Sequence, residues 1–180
     1  MKKSDVKHKL IKAFFHSLEN KHYSKISVTD LITEASCSRT TFYRHYTDVL
    51  DMYNKICEEM VDVILGELTA DLQNKNHSLS DMLYIFCNRL ESQKYYIRLL
   101  CGENGGRKFF EIAFEKVIVF ADVINPLLRE NERFVFKFAV CSGIGSYVKS
   151  LIDDGIFDIR TVEMCIMLLS EAERGTLKLE

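Results

Sequence analysis

Apolar residues recur along this chain at helical spacing. Val6, Leu10, Ala13, Phe14 and Leu18 share one face of a helix predicted from Ser4 to Glu19, with Lys7, Lys9 and Lys12 on the rest of its surface. The stretch Asn20–Ile26 is a polar linker that Tyr23 and Ile26 anchor to a core. Ser27-Val28-Thr29-Asp30 has the form of a capping box, in which hydroxyl and carboxylate each take the other residue's amide. Val28, Leu31, Ile32 and Ala35 then follow at offsets of a single amphipathic face. Ser38 is placed to cap a second short helix, Arg39 to Tyr46. Asp48 is placed to cap a longer one with Tyr53, Cys57, Met60, Val61, Ile64 and Leu68 along one side, reaching Leu72 with Gly66 inside it.

A polar connector at 74–78 separates this part from five further predicted helices, at 80–91, 93–101, 107–124, 130–153 and 160–173. Breaks fall at Gly102–Gly106, Asn125-Pro126 and Asp153-Asp154-Gly155. The pattern predicts an all-α chain of about nine helices. Composition agrees. Average usage gives about 9 prolines and about 13 glycines in this length, whereas the chain has 1 and 8, too few turn-makers for a many-stranded sandwich or barrel. With 47% apolar and 28% charged residues it is not a disordered chain.

The net charge of −2 conceals a division. Residues 1–55 hold ten Lys/Arg against six Asp/Glu, and residues 56–180 hold fourteen against twenty. Four of the five histidines, His8, His16, His22 and His45, also lie in the basic part. A basic end on an acidic body points to one region that meets a polyanion. The six cysteines, Cys37, Cys57, Cys87, Cys101, Cys141 and Cys165, are widely spaced among apolar residues, as reduced core thiols of a cytoplasmic protein are. Lys12 and His16 interrupt what would be a signal peptide's apolar stretch, and the uncharged run from Phe138 to Val148 is too short to span a membrane. A cytoplasmic location without membrane contact is expected.

The chemistry concentrates in residues 27–48. Two short helices joined by a few residues, with basic and hydroxyl side chains on the second, have the layout of a helix-turn-helix. Arg39, Thr40, Thr41, Tyr43, Arg44 and His45 supply donors for bases and phosphates within seven residues, while Phe42 and Tyr46 face inward to fix the helix. Thr29 and the amides that begin the preceding helix are placed for a phosphate. Helix propensity does not explain Thr-Thr-Phe-Tyr in so short a helix.

The run Ser27 to Tyr46, above all Ser38-Arg39-x-Thr41-Phe42-Tyr43-x-His45-Tyr46, resembles the helix-turn-helix of the TetR/AcrR family, and the close match covers about residues 8–55. The resemblance implies a homodimeric transcriptional regulator, most often a repressor released by a small molecule. Its head, 1–47, would bind DNA, and its C-terminal bundle, 48–180, would bind an effector and form the dimer. It assigns Thr29 to the DNA backbone and divides bases and phosphates among Arg39, Thr40, Thr41, Tyr43, Arg44 and His45. Two positions depart from the family pattern. Ser36 stands where Gly or Asn is common, which calls for a left-handed backbone at roughly 1 kcal/mol. Val49 stands where the family often has a phosphate-binding Lys, a role that Lys55 would partly take over.

The second half is rich in aromatic residues. Phe86, Arg89, Tyr96, Phe110, Phe114 and Phe138 are candidates for an effector pocket, with Arg98 and Glu115 as further polar fixtures; plain core packing is the other reading. Gly143-Ile144-Gly145-Ser146 allows close helix approach. With Tyr147, Val162, Cys165, Ile166 and Leu169 it would build either a two-fold interface or a contact within one subunit. No phosphate loop, H-E-x-x-H or nucleophile elbow occurs, and no histidine follows His77, so neither an enzyme nor a cofactor or metal site is expected. The expected partners are an operator in double-stranded DNA, a second copy of the chain and a small-molecule effector. The competing reading is a TetR-like co-activator or adaptor whose bundle binds a protein.

Overall fold

The computed structural model describes residues 3–73, 79–124 and 146, and every element among them is helical. The helices are α1 (Lys3–Asn20), α2 (Val28–Glu34), α3 (Arg39–Tyr43), α4 (Val49–Gln73), α5 (Leu79–Ser92), α6 (Lys94–Cys101) and α7 (Lys108–Ile124), with one 3₁₀ turn at Tyr23–Lys25. The connector at 74–78, the predicted helices 130–153 and 160–173, the breaks at 125–126 and 153–155, and Phe138, Gly143, Tyr147, Val162, Cys165, Ile166 and Leu169 lie outside the described residues.

The starts of the helices follow the capping chemistry. Ser27 Oγ accepts the Asp30 amide at 3.1 Å and the Asp30 carboxylate accepts the Ser27 amide at 3.2 Å. Those bonds, and then Lys21, hold the Asp30 carboxyl below its ordinary value. Asp48 takes the Asp51 amide at 2.7 Å to begin α4, and Asp51 in turn takes the Thr47 amide at 2.8 Å. The stop after α2 is equally specific. The Ser36 amide bonds to the Thr33 carbonyl at 3.2 Å and the Cys37 amide to the Ile32 carbonyl at 3.0 Å, while Ser36 takes φ 51°. These two bonds and the left-handed residue are a Schellman motif, and the strained backbone expected at Ser36 is present.

Most helices lie within a residue of their predicted bounds, and one differs by more. α3 ends at Tyr43 and not at Tyr46: the His45 amide reaches back only three residues, to the Phe42 carbonyl at 2.9 Å, and the Tyr46 amide shares that carbonyl at 3.0 Å. Threonines and aromatics are poor at sustaining a helix, and a tightened last turn is the usual result.

The chain divides into two compact units. The first joins Met1–Met60 with Tyr95–Phe110. Its interior is built from Val6, Leu10, Ala13, Phe14, Phe15 and Leu18 of α1, Leu31 of α2, Phe42, Tyr46, Met52, Tyr53, Ile56 and Cys57, and Ile97 and Leu100 of α6. The linker after α1 is pinned as expected. Ile26 is buried, and the Tyr23 ring stacks on Tyr53 at 4.5 Å and 12°. Polar bonds add to this: the Tyr53 hydroxyl donates to the Leu100 carbonyl at 3.2 Å and the Tyr23 amide to the Asn104 carbonyl at 2.8 Å. Gly106, at φ 95°, closes the turn between α6 and α7 against Tyr23.

In the second unit the described residues are 61–73, 79–94, 111–124 and 146. Val61, Ile64, Leu65, Phe86, Leu90, Ile112, Ala113, Val117 and Phe120 are its buried apolar side chains. Lys116 pairs with Asp62 at 2.5 Å, and Arg89 donates to the Ile64 carbonyl at 3.4 Å. Among the described residues no helix is long and apolar enough to cross a membrane.

Candidate nucleic-acid interface

α2 and α3 pack together, and α2 packs on α1. A hydrogen bond between His16 Nδ1 and Glu34 at 2.6 Å reinforces the α1–α2 contact, as does the ion pair of Lys21, just past the end of α1, with Asp30 at 3.3 Å. On this support α3 is fixed from below. Phe42 is fully buried and Tyr46, just beyond the helix end, is 2% exposed, with their rings 5.7 Å apart. Both face inward as the sequence predicts.

The opposite side of α3 carries the candidate contacts. Arg39, Thr40, Tyr43 and Arg44 are exposed, Tyr43 to 51%. Residues 40, 43 and 44 stand at offsets of three and four, so they share one stripe of the helix. Thr41 and His45 are half-buried at the stripe's flank. Ser38 sets the start of the helix: its hydroxyl takes the Thr41 amide at 3.1 Å and lies 2.8 Å from the Thr41 hydroxyl. A large aromatic, two guanidiniums and a threonine hydroxyl thus stand together on a short helix whose other face cannot rotate away.

Two of the predicted residues meet directly. Arg39 Nη2 donates to Thr29 Oγ1 at 2.9 Å, linking the first residue of α3 to the first turn of α2. Thr29 also borders a shallow groove of about 390 Å³ between α1 and α2. Sequence reasoning placed both residues at the interface but missed their pairing, since they stand ten positions apart on different helices.

Lys55 is placed differently from its neighbours. Its ammonium donates to Asp51 at 2.9 Å and to the His45 carbonyl at 3.3 Å, and lies 5.8 Å from the centre of the Tyr46 ring. Lys55, then the Thr47 amide, keep the Asp51 carboxyl below its ordinary value. The signal for this pair was available, an acid four positions before a base on one helix. Beneath it, the Tyr46 hydroxyl is buried without a hydrogen-bond partner, and burial pushes the phenol well above its usual value.

The candidate effector residues are divided between the two units. Tyr96 and Phe110 belong to the first, where Tyr96 packs on Phe15 of α1 at 4.7 Å. Phe86, Arg89 and Phe114 belong to the second, Phe86 buried and Phe114 exposed. Glu115 lines a groove of about 570 Å³ in the second unit with Asp62, Leu65, Gly66, Lys116, Val119 and Phe120. Among the described residues no group of three His, Cys, Asp or Glu could hold a metal ion. Burial pushes the Cys57 and Cys101 thiols up to about 12, which makes them inert core groups at neutral pH.

No family model matches the chain. It is similar to the HTH-type dhaKLM operon transcriptional activator DhaS of Lactococcus lactis subsp. lactis (strain IL1403), with 28% identity over 123 residues. The matched region covers 66% of this chain and 62% of that protein, so the chain spans about three fifths of the length of the curated relative it matches.

Proposed function

We propose that this protein is a sequence-specific, DNA-binding transcriptional regulator of the TetR/AcrR type. α2, the turn at 35–38 and α3 form its helix-turn-helix, and α3 is the element that enters the major groove. The observation that carries this reading is the two-sided character of α3: Phe42 and Tyr46 are buried, while Arg39, Thr40, Tyr43 and Arg44 stand exposed on one short, capped helix. The basic balance of residues 1–55 supports it, since phosphate attraction supplies most non-specific affinity. So does the similarity to a protein named as an HTH-type transcriptional activator.

Thr29, Arg39, Thr40, Thr41, Tyr43, Arg44 and His45 make up the contact set. Lys55 serves it by fixing the junction of α3 and α4 through Asp51 and the His45 carbonyl. One head offers a single short helix to the groove, so useful affinity calls for two heads. A homodimer would meet a pseudo-palindromic operator with half-sites about 34–36 Å apart, or a multiple of that distance. Control would be a shift of population, in which a small molecule bound in the C-terminal part favours heads that no longer match the operator spacing. In mobility shifts on a selected operator, Tyr43→Ala and Arg44→Ala should each weaken binding by roughly tenfold. Unchanged binding by both variants contradicts the proposal.

The relative is named a transcriptional activator, and contact with another protein is one route to activation, which favours a second reading. In that reading the C-terminal part of this chain recognises a protein in place of a small molecule. Gel filtration with candidate partners separates the two, since an adaptor forms a stable hetero-complex with no small molecule added.

A further inference from the structure

Arg39 and Thr29 lie on different helices, and both are exposed, yet the Arg39 guanidinium donates to the Thr29 hydroxyl at 2.9 Å. A long side chain held in one geometry at the surface gives up rotamer freedom, and a single bond to a neutral hydroxyl is a weak return for structure alone. The arrangement makes better sense as aim. Thr29 sits in the first turn of a capped helix, where a β-branched side chain has few rotamers open to it, so its hydroxyl has few places to go. Arg39 spends one Nη2 hydrogen on it and keeps the other four of its donors, in a planar fork.

That fork matches the O6 and N7 acceptors of guanine, the commonest specific arginine contact in the major groove. Arg39 is also the first residue of α3, and it is the start of the second helix that meets base edges when such a motif docks. We propose that Arg39 reads a guanine in each half-site and that Thr29 is the positioning residue that aims it. This rests on the reading of α3 as the groove-entering helix. Thr29 keeps its own hydroxyl hydrogen for a phosphate oxygen, so one residue ties the register on the DNA backbone to the reading of a base.

The test is selection from a randomised operator library with the full chain and the variants Arg39→Lys, Thr29→Val and Thr29→Ser. The wild-type motif should hold a guanine at one position of each half-site. Arg39→Lys keeps the charge and loses the fork, so discrimination at that position should fall by roughly 5- to 150-fold while the other positions keep theirs. Thr29→Val should loosen the guanine preference at the same position and, with the phosphate contact gone, weaken binding to all sequences alike, and Thr29→Ser, which retains the hydroxyl, should restore both. Both side chains are exposed, so thermal melts of the variants should match the wild type. A uniform loss across all sequences in Arg39→Lys, or an intact guanine preference in Thr29→Val, overturns the proposal. A wild-type protein that selects no motif instead contradicts the function proposed above.

Discussion

Ser36 carries a backbone conformation that L-residues with a side chain adopt at a cost, and it does so at the turn that aims α3. Replacing it with Gly should stabilise the protein by about 1 kcal/mol in urea unfolding, without moving any contact residue. No change in the midpoint would mean that local bonds already offset the strain. Tyr46 makes a second stability test. Its hydroxyl is buried and unpartnered, so Tyr46→Phe removes a desolvated group while keeping the ring beneath Lys55. Stability should rise by about 1 kcal/mol; a clear loss would show that the hydroxyl has a partner in solution. At this scale the sequence was informative where the signal is local. The inward Phe42 and Tyr46 could be read from spacing and residue type, and the left-handed Ser36 from the family pattern that the segment resembles. The Arg39–Thr29 bond could not, because nothing in a sequence fixes which side chains of two short helices touch.

Two helices begin on carboxylates held in their charged form. Asp30 is stabilised by Ser27 and Lys21 at the start of α2, and Asp51 by Lys55 and Thr47 at the start of α4. Both folded values lie below the ordinary 3.8, so their contribution is complete above that pH and is lost as pH falls through the lower folded values. The urea midpoint should therefore decline as pH falls below about 4, and the decline should be shallower in an Asp30→Asn/Asp51→Asn variant. Equal slopes would remove the two caps from the account. Helix starts were the most legible part of the fold, since Ser27, Ser38 and Asp48 each announce one. Helix ends were less so. Apolar spacing carried α3 on to Tyr46, but propensity and the three-residue bond of the His45 amide stop it at Tyr43.

For the molecule as a whole, the sequence separates a head at 1–47 from a bundle at 48–180, on the grounds of motif and charge. The compact units follow packing instead. The first extends along α4 to Met60 and takes in 95–110, through contacts such as Tyr53 with Leu100 and Tyr23 with Asn104. Pairings this distant leave no periodic trace, which is why α6 could be predicted as a helix but not assigned to the unit that presents α3. The proposed regulator depends on that unit as a support for one exposed helical stripe. The most direct test is to incubate the purified protein with fragmented genomic DNA and sequence what it retains, beside a Tyr43→Ala/Arg44→Ala double variant. The expected result is a short two-fold-symmetric motif, present for the wild type and absent for the variant. Retention without a motif, equal in both proteins and fading steeply with salt, would reduce the interface to electrostatic attraction and contradict sequence-specific regulation.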